Sequence, residues 1–367
     1  MTTKLILVGG FLGAGKTTLL AQTARTLTNE GKKVGLITND QAPALVDTLL
    51  LEQLGNRKES IEEVSGSCFC CNFQRLQEAI THLKYNLAAD IIIAEPVGSC
   101  TDLSATIVQP LKQYAQDLLA IAPLSVLADP ERLTNLLDNQ TGGFHPSAAY
   151  ILEKQLDEAD IIVINKIDCL PAAKLESLKN RTAVRWPQAT VFALSAQTGA
   201  GIKEWLVAVL AQQKAGMRLA EVDYDVYAEG EAVLGWLNAS LELKGTQINC
   251  DTLLQSLLSS LAERFDAMSA SVGHVKTLVT AKNDVIVGNI TGKKETLQLR
   301  GSIGMADEVS LTINARVEMS PANLKTIVME EINKVCKDGI EVKETALTSL
   351  QPGRPNPTHH FDTVVNS

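Results

Sequence analysis

Short, mainly apolar segments set between longer amphipathic stretches mark the first half of the chain. These segments fall at residues 5–8, 33–37, 61–64, 90–94, 124–128, 161–164 and 191–194; Ile61 to Val64 only leads into the loop that follows, and the other six are rich in isoleucine, valine and leucine. Six such segments, largely apolar and without regular polar alternation, predict strands buried on both faces, as in a parallel sheet. Between them, residues 18–29, 74–83, 146–159 and 202–210 read as helices, with Leu152, Leu156 and Ala159 on one face of the third. Residues 41–54 have mixed helical character, and 55–60 are polar. Strands alternating with helices predict an α/β domain with a mainly parallel sheet over residues 1–212.

A short polar stretch at 212–221 interrupts this pattern, and the character then changes. Residues 232–243, 273–281, 285–290, 308–317 and 340–350 read as strands, and 308–317 alternates as a half-buried strand does. Residues 252–265 and 321–335 read as helices, the second with Pro321 in its first turn. Two strand–helix–strand units predict a smaller α+β domain of ferredoxin-like kind over 222–350. In the remaining residues, 351–367, Pro352, Pro355 and Pro357 favour an extended tail. Its His359 and His360 could hold a metal or fold back onto the first domain, but a disordered end is the expectation.

Composition excludes whole classes of function. A length of 367 residues suits two domains, and 45% apolar with 20% charged residues is enough to build full cores. The net charge of −9 speaks against a nucleic acid held on a broad basic face. No run of 18 apolar residues offers a transmembrane helix, so no membrane partner is expected. The N-terminal apolar run leads straight into a glycine-rich loop that must be retained, which argues against a signal peptide and for a cytoplasmic protein. Its seven cysteines are then expected as thiols.

The glycine-rich loop carries the first chemistry. Gly10-Phe11-Leu12-Gly13-Ala14-Gly15-Lys16-Thr17 satisfies G-x-x-x-x-G-K-[ST] at each fixed position, and Thr18 opens the helix that follows. Glycines let the backbone wrap a phosphate chain with N–H groups turned inward, and the helix N-terminus adds a favourable dipole. Gly10, Gly13, Ala14, Gly15, Lys16, Thr17 and Thr18 are the expected phosphate-binding residues. Lys16 would reach the β- and γ-phosphates, and the Thr17 hydroxyl would hold Mg²⁺.

Acids at strand ends come next. Asp40 follows the second run, where it could touch Mg²⁺ or the attacking water, or act as a turn residue. Glu95 follows the fourth and is expected to face Mg²⁺ and water, with the Gly98 N–H meeting the γ-phosphate. Lys16, Glu95 and Asp40 are thus the catalytic candidates. The sixth run delivers Asn165-Lys166-Ile167-Asp168, where a carboxylate can accept from the N1–H and exocyclic amine of guanine and reject adenine. Ser195 and Ala196, past the seventh, could offer backbone contacts to the base. The last two motifs disfavour a small-molecule kinase.

Cys68, Cys70 and Cys71 lie within four positions. In a reducing compartment such spacing reads as metal binding or redox chemistry, and thiolates suit Zn²⁺ and other soft or borderline cations. No second C-x-x-C or nearby histidine completes four ligands, which fits a transfer site finished by water, a partner or a second copy of the chain. Partly buried thiols at a helix start are the alternative. Cys250 and Cys336 read as core thiols.

Taken together, GGFLGAGKTTLL, the C-x-C-C of Cys68 to Cys71, Glu95-Pro96-x-Gly98, the Asn165 to Asp168 motif and Ser195-Ala196 resemble, in this order, the CobW-type GTPases. These are relatives of the nickel-insertion GTPases of the UreG and HypB kind, and the resemblance covers roughly residues 1 to 212. It implies a GTPase that delivers a metal ion, zinc or cobalt, or a metallocofactor to a client metalloprotein. It also implies GTP, GDP and Mg²⁺ as ligands, slow intrinsic turnover and nucleotide-dependent homodimers. The chain departs from the family pattern at Asp40-Gln41-Ala42-Pro43, at Ser67 and at Val97, and it has five histidines without a histidine-rich tract. The competing reading is a regulatory or assembly GTPase that activates a corrinoid enzyme or other metalloenzyme without carrying metal itself.

Overall fold

β1 (Thr3–Gly10) is the first apolar run extended by the glycines that end it, and α1 (Lys16–Asn29) follows the loop. After β2 (Val34–Asp40) come α2 (Val46–Gln53), β3 (Ile61–Ser65), α3 (Phe73–Tyr85) and β4 (Ile91–Glu95). A π-turn at Ser104–Val108 leads into α4 (Gln109–Tyr114), then β5 (Leu119–Ile121), β6 (Ser125–Ala128), α5 (Pro130–Leu137) and α6 (Pro146–Asp157). β7 (Ile161–Ile164), α7 (Ala172–Arg185), β8 (Thr190–Ala193), α8 (Ile202–Ala211) and α9 (Tyr224–Ala232) follow. The computed structural model describes residues 2–40, 46–53, 58–212, 214–282, 284–292, 297–336 and 339–366, with the side chains of 40, 53 and 298 outside that description.

Strands β3-β2-β4-β1-β6-β7-β8 line up in that order, all parallel, and β5 also pairs with β1. Every residue of β4 and of β7 is buried, which explains why those strands read as unbroken apolar runs. β1 lies between β4 and β6, reached by connections that leave in opposite directions. The crevice at the carboxyl end of such a strand is where an open parallel sheet accepts a ligand.

The later part forms an antiparallel sheet of β9 (Leu234–Asn249), β10 (Val272–Ala281), β11 (Asp284–Ile290), β12 (Gln298–Gly301), β13 (Met305–Glu318) and β14 (Glu341–Leu350), in the order β12-β11-β10-β13-β9-β14. Without β11 and β12, this is the order of a split β-α-β pair of units, so the ferredoxin-like expectation holds and a two-strand extension is added at one edge. Helices α10 (Cys250–Ala267) and α11 (Pro321–Val335) start at side-chain caps from Asn249 and Ser320. Their stripes, Leu254, Leu257, Leu258 and Leu261 on one and Leu324, Ile327, Val328 and Ile332 on the other, share a core with Leu311 and Ile313 of β13.

Three contiguous pieces were expected; the molecule divides differently. One unit comprises Met1–Gln41, Leu54–Tyr227 and Arg354–Ser367, the other Ala42–Gln53 and Ala228–Gly353. Within the second unit, α2 packs Val46 and Leu50 against Leu278 and Val287, and the Val46 N–H donates to Asn314 Oδ1 at 2.8 Å. Leu278 has the opposite parity along β10 to the core residues Val275 and Val279, so α2 covers the sheet face that α10 and α11 leave open. Lys276 closes the contact, its Nζ 2.6 Å from Asp47.

The expectation of a disordered C-terminus is corrected. Residues 354–366 belong to the first unit, held by main-chain hydrogen bonds from Thr358 to Cys70 and from Phe361 to Ala105, and by the Val365 N–H on Gln109. Pro355 and Pro357 favour an extended backbone at its start, and the main-chain N–H groups that follow supply its anchors.

Candidate functional site

The phosphate loop is shaped by two glycines with no alternative. Gly10 has φ of 133°, and a Cβ there would collide with the Leu127 carbonyl of β6. Gly15, at φ of 96°, caps α1, and a Cβ there would meet the Asn165 carboxamide. Lys16 is buried, and its ammonium donates to the carbonyls of Gly10 and Phe11 at 2.8 and 3.3 Å. The Thr17 hydroxyl lies 3.2 Å from Glu95 Oε1, and Lys16 Nζ is 3.9 Å from the same oxygen. β1 and β4 are direct neighbours, which brings the loop and the strand-end acid together. A Cβ on Gly98 would fall 3.0 Å from Lys16 Nζ and 2.8 Å from Leu12, so the backbone after Glu95 lies directly against the loop. A cation, a hydroxyl and a carboxylate therefore converge at the N-terminus of α1, an arrangement that can neutralise phosphate and hold a hard, oxygen-seeking cation. Thr18 occupies the next position on α1, half-buried. The Asp40 side chain, the third catalytic candidate, lies outside the described residues; its backbone ends β2 beside Ser65.

The base-side motif does two different jobs. Asn165 is buried and acts as a brace: its Nδ2 donates to the Ala14 carbonyl at 2.7 Å and its Oδ1 accepts from the Ala196 N–H at 2.9 Å. It thereby ties the phosphate loop to the turn after β8, and the Ala196 N–H is engaged there. Ser195 stabilises the same turn by accepting from the Thr198 N–H. Lys166 stands at φ of 58° and pairs with Asp129 at 2.9 Å. Burial pushes the Asp129 carboxyl up, but Lys166 and Arg132 outweigh it and hold the group below its ordinary range. Asp168, in contrast, is exposed on the short turn Ile167–Cys169, where its carboxylate is accessible to a ligand.

The cysteine loop sits between β3 and α3. Cys68 and Cys70 are buried and Cys71 half-buried, with their three sulfurs within 4.8 Å of one another. Cys68 Sγ is 3.0 Å from Cys70 Sγ, which is 3.8 Å from Cys71 Sγ. Asn39, near the end of β2, knits the loop together: its Nδ2 donates to the carbonyls of Val64 and Ser67, both at 2.8 Å, and its Oδ1 accepts from the Phe69 N–H at 2.9 Å. Hydrogen bonding with the Cys100 thiol, then with Cys70 and Cys71, draws Cys68 far below the usual thiol range. The same cluster pushes Cys70 up, and Cys71, through Cys68, to about 11. A soft cation is the partner that such a cluster of sulfur donors favours.

Residues outside the sequence motifs complete the site. The tail lies over the cysteine loop: the Asn356 N–H donates to Cys71 Sγ at 3.4 Å, the Thr358 N–H to the Cys70 carbonyl at 2.8 Å, and the Thr358 hydroxyl to the Cys71 carbonyl at 3.2 Å. His359 packs edge-on against Phe73, with ring centroids 5.0 Å apart, and His360 Nε2 lies 3.0 Å from Asp102. Burial raises the Asp102 carboxyl, and Tyr224 and His360 partly offset that. Arg132, from α5, reaches the Leu12 carbonyl and stacks on Phe11 and Phe144. The signal for Asn39 was its position at the carboxyl end of β2 beside Asp40, and for Cys100 its place on the loop that follows Glu95 at the end of β4.

The family model for the CobW/HypB/UreG nucleotide-binding domain matches residues 4–193. Zinc chaperone CobW of Pseudomonas aeruginosa is 28% identical over 212 residues, which cover 50% of this chain and 54% of that protein. Zinc chaperone YjiA of Escherichia coli K12 is 30% identical over 183 residues, 48% of this chain and 52% of that one. The chain spans about half the length of the curated relatives it matches. The crystal structure of hydrogenase maturation factor HypB from Archaeoglobus fulgidus superposes with a TM-score of 0.40 at 20% identity, over 56% of this chain and 87% of that one.

Proposed function

Since the chain belongs to the CobW/HypB/UreG family, we propose that it hydrolyses GTP and uses the cycle to deliver a metal ion, zinc or cobalt, or a metallocofactor to a client metalloprotein. The observation that carries this reading is the placement of the thiol cluster. Asn39 ties the cysteine loop to the end of β2, and Cys100 hydrogen-bonds with it from the loop that leaves β4. That second loop begins at Glu95, which touches Thr17. Nucleotide and thiols thus share strand ends, so a change at one is felt at the other.

In this reading Gly10, Gly13, Ala14, Gly15 and Thr18 wrap the phosphates, and Lys16 neutralises them. The buried oxygens of Thr17 and Glu95 fit Mg²⁺, which they would hold and which would supply charge neutralisation to the phosphates. Gly98 meets the γ-phosphate, Asp40 assists the attacking water, and Asp168 reads guanine. Asn165 and Lys166 act by holding their loops, and Ser195 and Ala196 by shaping the turn beside the base. Unaided turnover is slow, and the client or a second copy of the chain accelerates it. Among the described residues no helix is long and apolar enough to cross a membrane.

Two experiments test these assignments. Zinc competition against a chromophoric chelator should give one tightly held ion per native chain and affinity weakened at least about a hundredfold in Cys70→Ser or Cys71→Ser. Absence of zinc binding by the native chain would favour the assembly reading, in which cargo is protein. Glu95→Gln keeps the size of the side chain and removes its charge. GTP affinity should stay within about threefold, while single-turnover phosphate release should slow about a hundredfold, because the electrostatic contribution is largest in the transition state. Unchanged turnover would remove Glu95 from the catalytic set.

A further inference from the structure

We propose that Cys100 is the fourth sulfur ligand of the cysteine site, which then encloses its ion in a four-thiolate shell rather than leaving a position open. This rests on the reading of Cys68, Cys70 and Cys71 as the metal site.

Cys100 is far from the C-x-C-C in sequence and next to it in the fold. It is 1% exposed, and its thiol interacts with those of Cys68 and Cys70, although it lies outside the group of three sulfurs within 4.8 Å of one another, so closing the shell draws it inward. Its backbone is clamped from several sides. The Cys100 N–H donates to the Val97 carbonyl at 2.9 Å, and Gln155 Nε2 donates to the carbonyls of Cys100 and Gly98 at 2.7 and 3.0 Å. Beyond it, Glu158 accepts from the Thr101 hydroxyl and the Ser104 N–H. So many buried contacts fix where this thiol sits, and preorganised donors lose little freedom when an ion arrives.

The donor chemistry selects the ion. A tetrahedral zinc with Zn–S near 2.3 Å separates its sulfurs by about 3.8 Å, and thiolates in fours suit zinc and other thiophilic cations. Cys70 and Cys71 already stand at 3.8 Å, and Cys68 and Cys70 are closer, at 3.0 Å. Four deprotonated thiols around a divalent ion leave a net charge of two minus and release their protons to solvent.

A fourth ligand here also specifies how nucleotide state reaches the metal. Cys68, Cys70 and Cys71 follow β3, whereas Cys100 follows β4, five residues past Glu95 and two past Gly98. Movement of that loop against Lys16 changes the distance between Cys100 and the other three sulfurs. Loss of one thiolate would turn a closed site into an open one, and a client could then capture the ion.

The test uses the full-length chain loaded with zinc alone. X-ray absorption of the native protein should give four sulfurs near 2.3 Å and no nitrogen or oxygen in the first shell. Cys100→Ser should give three sulfurs plus one light atom and weaken zinc affinity by about a hundredfold, one ligand's share of a structural zinc site. Three sulfurs and a light atom in the native protein, or an unchanged spectrum in Cys100→Ser, would overturn the proposal; the native spectrum decides even where the variant fails to fold. Zinc affinity that Cys70→Ser and Cys71→Ser leave unchanged, or no zinc bound at all, would instead remove the reading on which it rests.

Discussion

Lys16→Ala should lower GTP affinity about a thousandfold while the folded chain persists. The ammonium is buried, 2.8 Å from the Gly10 carbonyl, at the point where backbone N–H groups and the α1 N-terminus converge. Truncating one partner of a desolvated charge pair costs about 2–5 kcal/mol, and about 4 kcal/mol corresponds to a thousandfold. Lys16→Arg should not rescue, because Gly98 stands so close that a Cβ there would lie 3.0 Å from Nζ, which leaves no room for a guanidinium. Calorimetric titration with GTP and Mg²⁺, beside circular dichroism of each variant, provides the check. Affinity within tenfold of native would show that the loop does not bind phosphate as described.

The second large effect is in base choice. Asp168 is exposed on its turn, while Asn165 and the Lys166–Asp129 pair hold that turn in place. A carboxylate aimed at guanine accepts two donors, and against adenine it is left desolvated without them. Discrimination built on such a match reaches about 10⁴. The native chain should therefore prefer GTP to ATP by at least about a thousandfold, and Asp168→Asn should lose that preference and turn toward xanthosine triphosphate. Competition of the three nucleotides for a fluorescent analogue measures it. Comparable binding of ATP and GTP by the native chain would sink the assignment.

How far the sequence carried these arguments depended on where the apolar contacts lie. β4 and β7 are buried on both faces, so their pattern alone located them. The antiparallel sheet was legible for a related reason: α10 and α11 carry full stripes of leucine, isoleucine and valine, and caps mark their starts. α7 went unread because only Leu178 and Thr182 of its 14 residues are buried, which leaves no stripe to find. β5, three residues long, is too short for any period.

The larger gaps concern neighbours that only the fold creates. α2 precedes the cysteine loop in sequence, yet its partner Asn314 lies 268 positions away, so no local pattern could assign it to the second unit. The phosphate loop was legible residue by residue because it is one continuous segment. The thiol site is assembled from three strand ends and a tail: Asn39 after β2's apolar residues, the cysteine loop after β3, Cys100 after β4, and Asn356 from the C-terminus. Only the contiguous part of it, C-x-C-C, could be seen in advance.

The central claim is that nucleotide and metal are coupled through these shared strand ends, and one measurement addresses it most directly. Zinc affinity is determined for the full-length chain with no nucleotide, with a non-hydrolysable GTP analogue and Mg²⁺, and with GDP and Mg²⁺; the affinity for the analogue is then determined with and without zinc. The account predicts zinc affinities that differ by at least about fivefold between nucleotide states, and a change in analogue affinity by the same factor, as linkage requires. Equal zinc affinity in all three states would contradict it: the chain would then bind both ligands without one controlling the other.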